Sequence, residues 1–103
     1  MNLKELQETM EQLLSANHLD EADGLLSRVE PALEPSDPCL MWVQYYRARL
    51  DWARQNWRAG ESAFRKLLAQ DLPVELRAHA LRWLGESLHY GGQWQEQLIL
   101  EQE

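Results

Sequence analysis

The stretches ANHLDEADGLL (residues 16–26) and RQNWRAGESAF (residues 54–64) share one pattern that decides the fold. Each has a polar turn, then one large apolar residue, then a charged or polar pair, and then the start of an apolar helix face. The stretch GGQWQEQLILE (residues 91–101) has the pattern a third time. The large apolar residues are Leu19, Trp57 and Trp94. They are spaced by 38 and 37 residues, and a repeated interval of this size is typical of arrays of helical units.

Apolar side chains recur at steps of three and four residues through most of the chain, which is the period of an amphipathic α-helix. The breaks between these segments carry turn and cap residues. Asn17 and Asp20 are suited to a turn and to a helix N-cap. Asp37 before Pro38 is typical of an N-cap followed by proline at the first helical position. Pro73 is placed to open a later helix in the same way.

The pattern therefore predicts six helices. The first begins near Leu3, the second begins near Leu19 and ends at the prolines after residue 30, and the third extends from the Asp37 cap to about Arg54. The fourth covers 57–69, the fifth follows Pro73, and the sixth begins at Trp94. Helices joined by short links lie antiparallel. We expect an all-α domain over residues 1–103, with three antiparallel helix hairpins at about 3–35, 38–72 and 73–103.

Three stretches of this chain resemble the tetratricopeptide repeat (TPR) family. LRWLGESLHYGGQW (residues 81–94) resembles the first helix and turn of that repeat, and NHLDEADGLL (residues 17–26) resembles its turn and second helix. Ala22 stands at the small position where helices approach closely, and FRKLLAQDLP (residues 64–73) resembles the closing stretch. The resemblance implies a right-handed superhelical array of the three hairpins, a TPR-like α-solenoid.

The chain departs from the TPR pattern in two respects. Its interval is longer than the usual repeat of about 34 residues. The small position holds Gly60 in the second unit and Gln97 in the third. The last predicted helix also brings apolar residues at 98–100 with no capping helix after them, although terminal repeats normally carry a polar outer face. We therefore expect either that the chain is a segment of a longer array or of a larger protein, or that this apolar surface serves in an interaction.

Composition excludes several classes of function. The formal net charge is −7 and the pI is about 4.9, so the chain repels phosphate and nucleic acid is not an expected partner. No apolar stretch approaches the roughly 18 residues of a membrane span, and the polar N-terminus lacks a secretory signal. Cys39 is the single cysteine, which is ordinary in a reducing compartment, and we expect a cytoplasmic protein.

The sequence contains no recognisable catalytic or metal-binding constellation. His18, His79 and His89 are the only histidines, and their spacing does not place two of them on one helix face as metal ligands. The letters DEAD at residues 20–23 stand without a phosphate-binding loop, and acidic residues in a first helical turn are explained by the helix dipole. We expect no enzymatic activity, no cofactor and no metal.

The third predicted helix carries two candidate faces. One is a polar stripe of Gln44, Arg47, Asp51 and Arg54. The opposite face is aromatic and includes Arg49. It holds Trp42, Tyr45, Tyr46, Arg49 and Ala53, with Trp52 on its flank. An arginine among aromatic rings needs a carboxylate partner or a ring to stack on. The aromatic residues either fill the space between hairpins or form a groove in which aromatic and Arg side chains bind a peptide.

The resemblance also implies a location for a binding groove, because the first helix of each TPR hairpin lines the concave surface. It implies that the polar stripe of the second unit faces this groove, continued from the first unit by Gln7 and Glu11. The third unit continues it with Arg82, Glu86 and His89. The alternative is that these are solvated faces with weak ion pairs. The Lys/Asn set with which some TPR domains bind a C-terminal carboxylate is absent, which argues against that ligand.

The predicted function is a scaffold or adaptor that binds a protein or peptide partner in the concave groove. The alternative is a structural, assembly or sensor segment of a larger signalling or effector protein, which forms homo-oligomers through the C-terminal helix. Neither involves nucleic acid or a membrane.

Overall fold

The structure, a computed structural model, describes residues 2–90 of the chain, and these contain five α-helices and one short 3₁₀ helix. The α-helices are α1 (Leu3–Ser15), α2 (Leu19–Val29), α3 (Pro38–Ala53), α4 (Trp57–Leu68) and α5 (Val74–Tyr90), and the 3₁₀ helix covers Glu30–Ala32. No β-strand occurs in residues 2–90, and the all-α prediction is confirmed. The predicted sixth helix from Trp94, with Gln97, lies outside the described residues.

Several helices begin where their cap residues predict. The Asp37 side chain accepts a hydrogen bond from the Cys39 backbone N–H at 2.9 Å, and Pro38 is the first residue of α3. The carbonyl oxygen of Pro73 accepts from the Arg77 N–H at 2.9 Å, so α5 starts directly after this proline. The expectation that Asp20 caps α2 is wrong. The cap position is held by His18, and Asp20 lies in the first turn, where its charge is favourable beside the helix N-terminus.

The α1–α2 and α3–α4 turns, at residues 16–18 and 54–56, have the same backbone geometry. Their middle residues, Asn17 and Gln55, have φ of 60° and 63°. In the first turn the residue 18 N–H donates to the residue 13 carbonyl at 2.8 Å, and in the second the residue 56 N–H donates to the residue 51 carbonyl at 2.9 Å. Leu19 and Trp57 then open the two helices. The two turns, which lie 38 residues apart in the sequence, therefore have the same backbone structure.

Helix α3 is central and contacts each of the other four α-helices. It contributes much of the core through buried residues on several of its faces: Trp42, Val43, Tyr45, Tyr46, Ala48 and Leu50. Gly60 of α4 is buried against α3, and a Cβ at this position would lie 3.6 Å from both the Ala48 carbonyl oxygen and the Ser87 Oγ of α5. Helices α3, α4 and α5 thus approach closely at the residue that the repeat pattern placed at the small position.

Within residues 2–90, no helix combines the length and the apolar character that a bilayer span would need.

Candidate functional site

An open cleft of about 330 Å³ lies between α1, α3 and α5, which we call the α1–α3–α5 cleft. Helix α3 provides its floor with Trp42, Tyr45, Tyr46 and Arg49. One wall comes from α1 and the other from α5. The wall residues are Gln7 and Glu11 on α1, and Glu75, His79, Arg82 and Trp83 on α5. The cleft is therefore built from α1, α3 and α5, which alternate along the chain with α2 and α4.

Arg49 is held in place from two sides of the cleft. Its guanidinium forms an ion pair with Glu11, and the Arg49 side chain is only 13% exposed whereas that of Glu11 is 51% exposed. The guanidinium carbon also lies 4.5 Å from the centroid of the Trp83 ring and 5.8 Å from that of Tyr45. Both interactions expected for an arginine among aromatic rings are present. Because the pair joins α1 to α3 and the stacking joins α3 to α5, Arg49 connects all three helices of the cleft.

The floor of the cleft is an aromatic cluster that belongs equally to the core. Tyr45 and Tyr46 are 2% and 1% exposed, with ring centroids 5.0 Å apart, and Trp42 meets Tyr45 edge-on at 5.6 Å. Burial raises the pKa of both tyrosines, so their hydroxyls are neutral donors at physiological pH. The rings therefore fill the space between the helices, and one side of the cluster also borders the cleft.

Trp52 is the member of the predicted aromatic cluster that does not line the cleft. Its ring lies edge-on to Trp57 of α4 at 5.2 Å and to Trp83 of α5 at 4.9 Å. These three indoles form a row from the start of α4 to the edge of the cleft. The row fixes the Trp83 ring on which Arg49 stacks.

Of the three residues predicted on the third unit, only Arg82 lines the cleft. Its guanidinium carbon is 6.0 Å from the centroid of the Trp83 ring. Glu86 and His89 follow on α5 and are partly buried, but they are not cleft residues. His79, which was not among the predicted groove residues, lines the cleft, and its ring lies 6.1 Å from that of Trp42.

The polar stripe of α3 lies outside the cleft. Arg47 pairs with Glu30 at 2.8 Å and with Asp23 at 3.6 Å, so it contacts α2 and its 3₁₀ extension. Gln44 accepts a hydrogen bond at 2.8 Å from the side-chain amide of Gln70, which follows α4.

Arg54, at the end of the same stripe, pairs with Asp20 and Asp23 of α2. Burial raises the pKa of Asp51, and this effect exceeds the opposing attraction of Arg54 and Arg47. The structure thus places Gln44 against the segment after α4, Arg47 against α2, and Asp51 near Arg47 and Arg54. It does not bring them together with Arg82.

The sequence contained a way to find the cleft face of α3. Positions 7 and 11 line the cleft from α1, and the 38-residue interval leads from them to Tyr45 and Arg49. A further 37 residues leads from Tyr45 to Arg82, which lines the cleft, and from Arg49 to Glu86, which does not. The interval that identified the turns therefore relates the cleft positions of α1 to those of α3 and identifies one of them on α5, whereas polarity along α3 alone pointed to the opposite face.

The described residues contain no group of three or more His, Cys, Asp or Glu side chains that could hold a metal ion. Comparison of the chain with protein-family models, with curated proteins and with solved structures found no match. The fold and the cleft together define an all-helical protein with an aromatic-floored surface cleft.

Proposed function

We propose that this chain is a TPR-like helical repeat scaffold that binds a peptide segment of a partner protein in the α1–α3–α5 cleft. The observation that carries the proposal is that one open cleft is lined by α1, α3 and α5, which are the first helices of three successive predicted hairpins. Equivalent positions of the repeat, Gln7, Tyr45 and Arg82, all line it. A shared concave surface of this kind is how stacked helical units present a binding face.

The repeated turns support the stacking in this proposal. Residues 16–18 and 54–56 have matching dihedral angles and hydrogen bonds, so the first two units reverse the chain in the same way. In this proposal α5 is the first helix of a third unit, and the second helix that the sequence predicts from Trp94 lies outside the described residues. Continued stacking of such units gives the right-handed superhelix of a TPR-like α-solenoid.

The chemistry of the cleft suits a peptide. The partly exposed ring of Trp83, backed by the buried rings of Trp42 and Tyr45, provides apolar contact area at little cost in side-chain entropy. Arg49 is already ordered by Glu11 and Trp83, so a ligand that contacts it does not have to immobilise a flexible side chain. The walls carry charges of both signs, such as Glu75 and Arg82, which gives specificity for the order of residues in the ligand.

The partner is a protein rather than a nucleic acid, because the chain carries a net charge of −7. A cytoplasmic location goes with the single cysteine and with the proposed role in protein binding.

The proposal is tested by affinity capture with the intact chain, followed by mass spectrometry. Arg82→Glu reverses an exposed charge in the cleft, and Arg58→Glu makes the same change on the exposed side of α4. We expect wild type and Arg58→Glu to retain the same partner and Arg82→Glu to lose it, while circular dichroism shows all three folded. Equal capture by Arg82→Glu would contradict the assignment to the cleft. Arg47→Ala then tests whether the polar stripe of α3 binds the partner instead.

One observation favours the alternative function, an assembly segment of a larger signalling or effector protein. Leu81 on α5 is 42% exposed, which is high for a large apolar side chain in the described residues. An exposed apolar residue on the first helix of the predicted third hairpin suits self-association. Molar mass measured by light scattering at several concentrations separates the two functions. Concentration-dependent dimers that Leu81→Gln abolishes would favour assembly, and a monomer at every concentration would reject it.

A further inference from the structure

A second cavity, of about 500 Å³, lies between the α2–α3 connection and the α4–α5 connection. We call it the linker pocket. It shares no lining residue with the α1–α3–α5 cleft. We propose that the linker pocket binds a partner segment in which a large apolar side chain is adjacent to a lysine or arginine. This would give the scaffold a second binding surface, independent of the cleft.

The apolar part of the pocket comes from both connections and from the first turn of α3. Leu40 and Met41 are partly buried on α3, Leu72 and Pro73 face them from the other connection, and all four line the cavity. Val74, the next residue along the chain, is 86% exposed. Val74 does not itself line the cavity, but it directly follows the lining residue Pro73, so it offers a bound segment a further apolar contact. The volume is within the range of about 300–1,000 Å³ that ligand pockets occupy, which accommodates one large side chain with its neighbouring backbone.

The charged side chains that line the pocket are all acidic. Asp37 and Asp71 line it, and no lysine or arginine does. The Asp37 Oδ1 accepts the cap hydrogen bond from the Cys39 N–H, but a carboxylate offers about four lone-pair sites, so a ligand donor can still bind.

Asp71 is exposed and forms no ion pair with any residue in the range 2–90. Arg77 contacts the same connection, but it donates to the Gln70 carbonyl oxygen at 3.1 Å and does not line the pocket. A cationic side chain of a partner is therefore the group that complements this surface, and the net charge of −7 strengthens its attraction.

The experiment selects a phage-displayed library of random peptides, each about 12 residues long, on the intact chain. We expect enrichment of Lys or Arg within two positions of Leu, Phe or Met. For a synthetic peptide of that type, Asp71→Lys replaces attraction by repulsion and should weaken binding about tenfold. Glu8→Lys makes the same charge change on the exposed side of α1 and should leave binding within about twofold. Val74→Ser should weaken binding about threefold through lost apolar contact.

Three results would overturn the inference: no enrichment of basic–apolar peptides, enriched peptides that are acidic or uncharged, or equal binding by Asp71→Lys and wild type. Peptides that lose binding with Arg82→Glu instead would belong to the α1–α3–α5 cleft, which rejects the linker pocket and leaves the proposed function standing. If Asp71→Lys does not fold, Asp71→Asn provides the same comparison, with an expected weakening of about threefold.

Discussion

Asn17 and Gln55 occupy equivalent positions in two hairpin turns, and both have left-handed backbone, with φ of 60° and 63°. This conformation costs an L-residue about 1–2 kcal/mol, and asparagine adopts it more readily than most residues because its short side chain can bond locally. Glutamine has no such advantage. The two turns are therefore alike in geometry but unlike in how well their sequences suit it.

Replacing Gln55 by glycine should stabilise the protein. Glycine removes the conformational penalty, and its greater freedom in the unfolded chain offsets part of the gain, so we expect the free energy of unfolding to rise by about 0.5 kcal/mol. Urea denaturation measures the change. Gln55→Ala is the matched control, because it removes the same side chain and keeps the penalty. A Gln55→Gly variant no more stable than Gln55→Ala would show that the turn is not strained.

Gly60 and Gly24 provide a test of helix packing. A Cβ added at Gly60 would have atoms of α3 and α5 at 3.6 Å, whereas a Cβ added at Gly24 would have nothing within 4 Å. An alanine fits at both sites and should raise stability by about 0.5–1 kcal/mol through helix propensity. Gly60→Trp should prevent proper folding, because no volume is available, while Gly24→Trp should fold. A Gly60→Trp variant that melts like wild type would contradict the packing of α4.

Arg47 and Trp57 separate surface charge from core packing. The Arg47 side chain is 38% exposed in its pairs with Glu30 and Asp23, so Arg47→Ala should cost less than about 1 kcal/mol, and high salt should reduce that loss. Trp57 is partly buried and lies edge-on to Trp52, so Trp57→Ala should cost about 2 kcal/mol, less than the roughly 3–5 kcal/mol of a fully buried tryptophan. Thermal denaturation of both variants measures the difference. A larger loss at Arg47 than at Trp57 would reverse these assignments.

Asp51→Asn should stabilise the folded protein at neutral pH. Burial raises the pKa of Asp51 above its ordinary value of 3.8, so the ionised form disfavours folding at any pH above the folded pKa. This penalty decreases as the pH falls through the folded pKa and disappears below the unfolded value. Denaturation at about pH 7 and at about pH 3 should therefore show a gain only at the higher pH. A gain of the same size at both pH values would mean that ionisation is not its cause.

The sequence predicted the helices and turns well because their determinants are local. Asp37 with Pro38 marked the start of α3, and the interval between Leu19 and Trp57 marked two turns that prove equivalent. Local rules failed at Asp20, since a carboxylate serves a helix start either as the cap or in the first turn. Sequence alone does not separate these two roles, and the residue at the cap position, His18, makes no side-chain cap hydrogen bond.

The cleft face of α3 was harder to predict because it depends on tertiary contacts. α3 contacts four helices, so apolar residues occur on several of its faces and polarity does not mark one side as exposed. Gln44 and Arg47 are polar because they bond to Gln70 and to α2, while Arg49 is polar and lines the cleft. Which polar residue meets solvent and which meets another helix is decided by the neighbours, and only the repeat interval carries that information in the sequence.

The central place of α3 also has a consequence for the dynamics of the native state. Neither the pair α1 and α2 nor the pair α4 and α5 can separate from the remainder without breaking contacts to this helix. The amide hydrogens of Val43 and Ala48, whose side chains are fully buried, should therefore exchange with deuterated solvent only when all five helices open together. Residues 2–90 would then behave as one cooperative unit, in contrast to long repeat arrays that fray from their ends.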